Sequence, residues 1–312
     1  MAEPMALAAL AIDAALGWPP ALYARIGHPV GLFARVIGWG ERRWNRADLP
    51  DRARRLRGIA TLALAAGIAA AGGWAIEAIC RALLGGHAWL GIAFAAAPGL
   101  AQRSLYDHVL PVSRALAAGD LSAARAAVGR IVGRDTAALD EAGVARAAIE
   151  SLAESFCDGI AAPLFWLLLL GLPGLWAYKA INTADSLIGH YEPRWRAFGW
   201  AAARTDDVAN FVPARIAGAT ICLAGRGGWR IMARDAGNHT SPNAGWPEAA
   251  MAGALGLSLG GPAAYDGAVL DKPRIGDGCR QAGAADITRA LRVYRRSCLT
   301  LWLVAGGMAW AL

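Results

Sequence analysis

Charged residues are scarce in this sequence. Asp, Glu, Lys and Arg make up 18% of its 312 residues, and 56% of the residues are hydrophobic. A soluble domain ordinarily carries about 25% charged residues to solvate its surface. The composition therefore argues against an ordinary soluble domain and predicts that lipid forms part of the solvent.

Cysteine pairs and the common nucleotide motifs are also missing. The five cysteines are scattered without a C-x-x-C pair, which argues against a disulfide framework and a zinc site. The five histidines have no metal-ligand spacing and are interpreted as structural. The sequence has no Walker loop, nucleophile elbow, H-E-x-x-H motif or kinase signature. Any nucleotide site is therefore of an uncommon kind.

The first apolar stretch, residues 5–16, does not have the pattern of a secretory signal peptide. Glu3 precedes it, Asp13 interrupts it, and no basic residue comes before it. The stretch is also short for a crossing, which needs about 20 apolar residues. We predict an interfacial or re-entrant helix that ends at Gly17-Trp18-Pro19-Pro20.

Longer apolar runs are typical of membrane-spanning helices. Three candidate spans have at most one charged or titratable residue each: 59–80, 83–101 and 160–178. Three weaker candidates are 208–225, 246–264 and 297–312. We therefore predict an all-α, polytopic integral membrane helical protein, with residues 1–312 forming a single membrane-embedded domain and possible re-entrant helices. Residues 102–158 are predicted to form a polar helical insertion on the cytoplasmic side.

The excess of positive charge lies mainly in one segment. Seven arginines precede the first candidate span, against Glu41, Asp48 and Asp51: Arg42, Arg43, Arg46, Arg52, Arg54, Arg55 and Arg57. The positive-inside rule places this segment in the cytoplasm, with anionic headgroups as its partner. No basic stripe interleaved with aromatics occurs elsewhere, so no nucleic-acid binding is expected.

The polar insertion contains two predicted helices. Asp120 or Ser122 can cap a helix that continues to about Arg134. A second helix from Val144 places Glu150, Glu154 and Asp158 on one side, opposite its apolar residues. A solvated face is the plain interpretation. The alternative is a cation site, because three acids without a basic partner four residues away repel one another.

A break follows inside the run 160–178. Gly171-Leu172-Pro173-Gly174 interrupts a helix, since proline removes a backbone hydrogen bond. One interpretation is a single kinked span. The other is a re-entrant hairpin that returns Lys179, Asn182 and Asp185 to the side of Asp158.

Two further polar clusters are ambiguous by spacing alone. Arg204, Asp206, Asp207 and Asn210 either begin a helix, where the dipole favours negative charge, or join Asp185 in holding Mg²⁺. The loop at 234–248 either is a turn and helix cap or receives a phosphate. In the second case Ser241, Asn243 and Gly245 surround the phosphate, with Arg234 as counter-charge.

Short segments in a fixed order along almost the whole chain form one pattern. The segments are His28-Pro29-Val30, IVGRDT at 131–136, AAIESLAE at 147–154, Asp158-Gly159, APLFW at 162–166, YKAINTADS at 178–186, FGW at 198–200, Arg204 with Asp206-Asp207 and Asn210, Pro213-Ala214-Arg215, and SPNAGWPE at 241–248. In these segments the chain resembles the CobD/CbiB family of cobalamin biosynthesis, the membrane-bound adenosylcobinamide-phosphate synthases. Two positions depart from the usual pattern of the family, Trp18 and Ser155.

The resemblance implies an ATP-dependent amide ligase with Mg²⁺. The implied reaction joins a carboxylate of adenosylcobyric acid to the amine of (R)-1-amino-2-propanol O-phosphate or a related amino-alcohol phosphate. The roles fitted to this scheme divide the candidate residues into three sets. They are catalytic Glu150, Glu154, Asp158, Asn182, Asp185 and Asn210; phosphate- or substrate-binding Lys179, Arg204, Arg215, Arg234, Ser241 and Asn243; and metal-binding Asp185, Asp206 and Asp207.

The resemblance also implies a location and partners. We expect a multi-pass protein of the bacterial cytoplasmic (inner) membrane with its active site facing the cytoplasm. Its partners are then the corrinoid, the amino-alcohol phosphate, the lipid bilayer and, as an open alternative, other enzymes of the corrinoid pathway. A membrane transporter, indicated by Arg215 and Glu248 within apolar segments, and a non-catalytic scaffold of corrinoid assembly are the competing functions.

Overall fold

The fold, taken from a computed structural model that describes residues 4–265 and 268–311, is 76% helical. The helical prediction is confirmed. A π-helical turn, Cys157–Ala161, links the eighth and ninth helices, and short 3-10 turns lie at Gly85–His87, Ala97–Gly99 and Ala236–Asn238. The α-helices are α1 Met5–Leu16, α2 Pro20–Ile26, α3 Pro29–Trp44, α4 Asp51–Leu84, α5 Ala88–Ala96, α6 Gln102–Ala117, α7 Leu121–Val128, α8 Glu141–Phe156, α9 Ala162–Ile188, α10 Trp200–Ala209, α11 Phe211–Gly225, α12 Trp229–Asp235, α13 Gly245–Leu255 and α14 Ala284–Ala311.

The chain divides into two compact units. Unit one contains the chain up to Ala101, Ala162–Asn210, and the chain from Ala305 onward. Unit two contains Gln102–Ala161 and Phe211–Val304. The first segment of unit two nearly coincides with the predicted polar insertion, 102–158. The single membrane-embedded domain stays a prediction.

Two helical stretches are long and apolar enough to cross a membrane, Asp51–Ala117 and Glu141–Ile188. A third is present if α10 and α11 form one broken span. This finding rests on helix length and composition. It agrees with the predicted membrane character of the chain. The predicted span 83–101 is itself discontinuous, because α5 has 3-10 turns at both ends.

Several helices begin or end at residues that commonly cap helices. α1 ends at Gly17, as predicted. Asp120 accepts a hydrogen bond from the Ala123 N–H at 2.8 Å and caps α7, although this helix stops at Val128 rather than near Arg134. Asp140 caps α8 by accepting from the Gly143 N–H at 2.7 Å. Capping aspartates therefore set the starts of α7 and α8.

Helix α9 is sharply broken at Gly171, whose φ of 66° is readily available only to glycine. A Cβ added to Gly174 would lie 2.6 Å from the Trp166 carbonyl oxygen, whereas residues eight apart in a continuous helix are separated by about 12 Å. The chain therefore turns back on itself here. Because a mild kink would keep these residues apart, the contact favours the predicted hairpin over one kinked span.

Helix α4 supports this break at two positions one turn apart. The backbone of Leu172 approaches so closely that a Cβ on Gly73 would lie 2.7 Å from its carbonyl carbon. The Leu172 N–H donates to Glu77 Oε2 at 3.3 Å, and Arg81 pairs with Glu77 Oε1 at 2.7 Å. Glu77 thus accepts from a backbone donor that the helix break releases.

Four short strands follow α13 and were not predicted. β1 Leu259–Gly260 pairs antiparallel with β4 Arg274–Ile275, and β2 Ala263–Tyr265 pairs antiparallel with β3 Ala268–Leu270. The predicted span 246–264 is wrong, because α13 ends after 11 residues at Gly256 in the left-handed conformation. Eleven helical residues rise about 16 Å, roughly half of the hydrocarbon thickness.

Candidate functional site

Unit two encloses a polar cavity of about 230 Å³. Its walls come from the segment before α8, from α8 itself, from the loop before α13, and from β1 and β4 with their flanking residues. The charged and titratable residues among its lining are Arg134, Glu150, Glu154, His239, Glu248 and Lys272. Three carboxylates, two cations and one imidazole therefore share a small space.

Glu150 is the best-fixed carboxylate of the cavity. It lies on α8, is only 7% exposed, and forms an ion pair with Arg134. Its other oxygen, Oε1, accepts from the Gly260 N–H at 2.7 Å. Both oxygens are thus satisfied, as a buried charge requires. Glu150 thereby ties α8 to the segment of Arg134 and to β1.

The neighbouring side chain of α8 holds the Arg134 segment in place. Ser151 donates through its hydroxyl to the Ile131 carbonyl at 2.7 Å. Since Ile131 lies three residues before Arg134, this bond fixes the backbone from which the guanidinium reaches Glu150. Two successive residues of α8 therefore position the cation of the cavity.

Glu248 and His239 form the second wall. Glu248, in the first turn of α13, is 4% exposed, and its Oε1 lies 3.5 Å from His239 Nε2. His239 Nδ1 accepts from the Ser241 N–H at 2.9 Å. Because Nδ1 accepts, the proton of the neutral ring is on Nε2 and faces Glu248.

Burial sets the charge states of this pair. Desolvation raises the pKa of Glu248 well above its ordinary value, and the neighbouring charges of Glu150 and Glu154 raise it further. Desolvation likewise lowers the pKa of His239, with the positive charge of Lys272 acting in the same direction. Burial therefore favours the protonated form of the Glu248 carboxyl and the neutral form of the His239 imidazole.

The predicted acidic stripe of α8 divides between two environments. Glu150 and Glu154 both line the cavity, Glu154 from an exposed position. Asp158 lies outside the lining, on the π-helical turn Cys157–Ala161. π-Helical turns are rare and frequently lie at functional sites. The solvated-face interpretation does not hold for Glu150, which is buried.

The loop before α13 uses its polar groups to begin the helix. Ser241 Oγ accepts from the N–H groups of Asn243 and Ala244, each at 3.2 Å. Asn243 Oδ1 accepts from Arg215 Nη1 at 2.8 Å, and Arg234 pairs with Asp235 and Asp277 at 2.6 and 2.8 Å. These bonds correspond to the turn-and-cap interpretation, and the phosphate roles of these residues stay predictions.

Arg215 is held by aromatic rings as well as by Asn243. Its guanidinium carbon lies 3.8 Å from the Phe211 ring centroid and 4.6 Å from the Trp246 ring centroid. Cation–π contacts of this kind stabilise a partly desolvated arginine. Arg215 therefore joins α11 to the start of α13.

Unit one contains a separate polar cluster centred on Asp206. Its Oδ1 accepts from the Asn182 amide at 3.2 Å, and its Oδ2 accepts from the Asn210 amide at 3.0 Å. Tyr178 donates through its hydroxyl to Asn210 Oδ1 at 3.0 Å, and Asn210 is 2% exposed. Helices α9 and α10 thus bring Asn182, Asp206 and Asn210 together.

Cations border this cluster. Lys179 interacts electrostatically with both Asp206 and His28. His28 caps α3 by accepting from the Val30 N–H at its Nδ1, 3.2 Å away, and burial lowers its pKa. Arg204 pairs with Asp207 at 3.4 Å. The Asp185 carbonyl accepts from the Gly189 N–H at 2.7 Å, near the end of α9.

A metal site formed by protein ligands alone is not present among the described residues. Within 4–265 and 268–311, no three His, Cys, Asp or Glu side chains are grouped in a way that could hold a metal ion. Asp206 is hydrogen-bonded by two amides and Asp207 by an arginine, so Asp185, Asp206 and Asp207 do not form a three-carboxylate centre. Mg²⁺ also binds through one or two carboxylates together with substrate phosphates, which this arrangement permits.

Comparison with known proteins shows the family of this chain. The family model described as CobD/CbiB protein matches residues 6–294. The chain belongs to the CobD/CbiB family. A "Cobalamin biosynthesis protein CobD" of Rhodobacter capsulatus is 48% identical over 311 residues, covering 98% of this chain and 96% of that protein. No solved structure matches.

Other relatives of this CobD/CbiB chain bear the same name. A "Cobalamin biosynthesis protein CobD" of Sinorhizobium sp is 48% identical over 303 residues, with 94% of each chain covered. One of Brucella suis biovar 1 is 48% identical over 310 residues, covering 92% of this chain and 90% of the relative. The suspected family is thus confirmed, and the chain is a member of a family of cobalamin biosynthesis.

Four of the six charged or titratable residues of the cavity were not predicted as site residues of this CobD/CbiB chain. Arg134 and Glu248 lie inside the matching segments IVGRDT and SPNAGWPE, so a signal for both was present. His239 comes just before the second segment and was interpreted as structural. Lys272 lies outside every motif. Only the fold brings it to the cavity.

Proposed function

We propose that this chain is an ATP-dependent amide ligase of the adenosylcobalamin pathway. It joins adenosylcobyric acid to (R)-1-amino-2-propanol O-phosphate or a related amino-alcohol phosphate, and the product is adenosylcobinamide phosphate. The observation that carries the proposal is the charge pattern of the unit-two cavity. Cations and carboxylates face one another there, as a small substrate with a phosphate at one end and an ammonium at the other requires.

The cavity matches the amino-alcohol phosphate in size. Sites for drug-sized ligands occupy about 300–1,000 Å³, and this cavity has about 230 Å³. A corrinoid is much larger than such a space. The cavity is therefore assigned to the smaller of the two substrates that are joined.

Charge suggests the orientation of that substrate. Arg134 and Lys272 are the cations of the lining and are assigned to the phosphate, for which Arg offers a planar fork of donors. Glu154, exposed at the cavity, is assigned to the ammonium. Glu150 is a positioning residue, because its oxygens already hold Arg134 and the Gly260 N–H.

Amide formation requires the amine to be neutral when it attacks. Glu154 is the proposed acceptor of the ammonium proton. In the forms that burial favours, the Glu248 carboxyl and the Nε2–H of His239 both donate hydrogen bonds in the cavity. Such donors stabilise oxygen atoms on which negative charge develops.

The carboxylate substrate must first be made electrophilic. Transfer of the terminal phosphoryl group of ATP gives an acyl phosphate and ADP. Attack by the amine then forms the C–N bond and releases phosphate, while the ammonium proton passes to the base. Mg²⁺ bound to the nucleotide phosphates neutralises charge during phosphoryl transfer.

The Asp206 cluster of unit one is proposed to serve the same reaction. Arg204 and Asp207 are the assigned contacts for nucleotide phosphates and for Mg²⁺ carried by them, in keeping with the partial exposure of both side chains. Asn182 and Asn210 keep Asp206 in place. Lys179 supplies a further positive charge. Roles for Asp158 and Asp185 are retained as part of this proposal.

We further propose that the protein lies in the bacterial cytoplasmic membrane as a multi-pass protein, with its site facing the cytoplasm. The two apolar helical stretches support membrane insertion. The arginine-rich segment before α4 supports the orientation under the positive-inside rule. Partners are the corrinoid, the amino-alcohol phosphate, lipid, and other enzymes of the corrinoid pathway.

The transporter alternative receives less support than the ligase. Its sequence argument placed Glu248 within a membrane span, and α13 is too short for one. A non-catalytic scaffold remains the other alternative. Both predict that no nucleotide is consumed in proportion to a product.

Purified full-length protein, incubated with adenosylcobyric acid, amino-alcohol phosphate and MgATP, tests the proposal. We expect one ADP and one phosphate for each amide product identified by mass spectrometry. A panel of amino-alcohol phosphates identifies the preferred substrate. Corrinoid binding without product, by protein that is folded in detergent, contradicts the ligase and leaves the scaffold.

Glu154→Gln and Glu141→Gln form a matched pair of variants for this assay. Both remove one exposed carboxylate of α8, and only Glu154 lines the cavity. We expect Glu154→Gln to lower the rate of ligation by about 100-fold or more. Equal rates in the two variants would remove Glu154 from the proposed mechanism.

A further inference from the structure

A second cavity lies in unit one, and none of the residues assigned to the proposed ligase reaction lines it. It has a volume of about 570 Å³ and lies where the end of α3, the start of α4 and the segment before α10 meet. We name it the arginine pocket. Its lining consists of Glu41, Arg42, Asn45, Ala47, Arg54, Pro193 and Arg194.

Two of its three arginines form the walls of the pocket. Arg194 donates to Glu41 Oε1 through Nε at 2.9 Å and Nη2 at 2.7 Å. Arg54 donates to Asn45 Oδ1 at 2.9 Å and to the carbonyls of Pro193 and Arg194. These bonds hold both guanidinium groups in fixed positions, and Arg54 also pairs with Asp51 at 3.7 Å.

Arg42 is the third arginine and is exposed. Across residues 4–265 and 268–311 it has neither a hydrogen-bond acceptor nor an ion-pair partner. With Glu41 as the only acid of the lining, the pocket is net positive. Arg42 can therefore donate hydrogen bonds to a bound anion, because no described residue accepts from it.

Apolar surface begins next to these charges. On α4, Leu56 and Ile59 are exposed at 60% and 43%, within one or two turns of Arg54. Trp39 and Trp200 are also exposed, and Arg55 lies over the Trp200 ring, 5.7 Å from its centroid. Arginine and tryptophan beside an apolar helix are typical of the membrane–water interface.

We infer that the arginine pocket binds the phosphate headgroup of an anionic phospholipid. The phosphate lies against Arg42, beside the paired Arg54, and the acyl chains lie along the exposed apolar face of α4. A free phosphate would satisfy the guanidinium groups and would make no use of the adjoining apolar surface. The inference shares the membrane location with the proposed function and is independent of the ligase reaction.

The test measures lipid binding rather than ligation. Full-length protein in a neutral detergent is titrated with phosphatidylglycerol or phosphatidylcholine, and bound lipid is counted by native mass spectrometry. We expect tighter binding of phosphatidylglycerol. Arg42→Gln should weaken its binding about five-fold, the effect of one arginine near an anionic surface, and leave phosphatidylcholine unchanged.

Arg280→Gln is the matched control, since it removes one exposed arginine from unit two. An equal loss of phosphatidylglycerol affinity in Arg280→Gln would show that only the net charge of the protein matters and would overturn the assignment of the lipid to the arginine pocket. Full displacement of phosphatidylglycerol by equimolar glycerol phosphate would make the ligand a free phosphate and overturn the lipid assignment. Should Arg42→Gln fail to fold, Arg42→Lys replaces it, and unchanged affinity in that variant contradicts contact through the guanidinium fork.

Discussion

Replacing Glu248 with Gln should change how the stability of this protein depends on pH. The side chain is buried, and desolvation together with Glu150 and Glu154 raises its pKa well above 4.5. The folded protein therefore retains a proton that the unfolded chain loses near pH 4.5. Gln has nearly the same shape as the protonated carboxyl and does not titrate.

The sign of the effect follows from proton linkage. A group whose pKa is raised in the folded state contributes stability that is fully present below its unfolded pKa. That contribution is lost as the pH rises toward the folded pKa. The slope reaches about 1.4 kcal/mol in the free energy of unfolding for each pH unit. For a protein of this size, this slope corresponds to about 2 °C in Tm for each pH unit.

Intrinsic tryptophan fluorescence during heating, in detergent at pH values from 5 to 8, measures this dependence. Tm of the wild type should fall relative to Tm of Glu248→Gln as the pH rises. Glu141→Gln, which removes an exposed carboxylate of α8, should follow the wild type. A constant difference between wild type and Glu248→Gln over the whole range would refute the raised pKa.

Three further substitutions test the packing of the two clusters and of the broken helix. Arg134→Met leaves the buried carboxylate of Glu150 without its cation, and we expect unfolding to become about 3–5 kcal/mol easier by denaturant titration. Asp206→Asn presents an amide to two amide donors; we expect a loss of about 1–3 kcal/mol and no ligation, while the protein still inserts into membranes. Gly174→Ala places a Cβ against backbone atoms and should lower stability by about 1–3 kcal/mol, whereas Gly67→Ala, with open space around it, should not.

Each substitution has an outcome that contradicts its premise. If Arg134→Met and the wild type have the same free energy of unfolding, the buried Glu150 does not need Arg134 for the stability of the fold. Near-normal product formation by Asp206→Asn would remove Asp206 from the proposed mechanism. If Gly174→Ala and Gly67→Ala behave alike, the chain does not turn back tightly at Gly171.

Local sequence signals were sufficient to predict several parts of this structure. The end of α1 at Gly17 and the aspartate cap of α7 follow from residue type alone. Features that depend on a few adjacent residues are therefore the ones that sequence can predict.

Features that depend on distant contacts were missed. Glu150 was interpreted as one member of an acidic face, and its burial depends on Gly260, 110 residues away. Lys272 comes from a segment without helical periodicity. The prediction of a span at 246–264 was wrong because a hydropathy average over this range does not detect a helix end. Gly256 ends the helix in the left-handed conformation. Apolar composition alone cannot distinguish a short buried helix from a crossing.

The assignment of the unit-two cavity to the amino-alcohol phosphate is tested most directly by the KM for that substrate in Lys272→Gln. Lys272 lines the cavity, and a charged hydrogen bond contributes about 1.5–3 kcal/mol, so we predict a rise in this KM of about ten-fold or more. KM for ATP and for the corrinoid should stay unchanged, as should all three constants in Arg280→Gln. A KM for the amino-alcohol phosphate that is the same in Lys272→Gln and wild type would contradict the assignment.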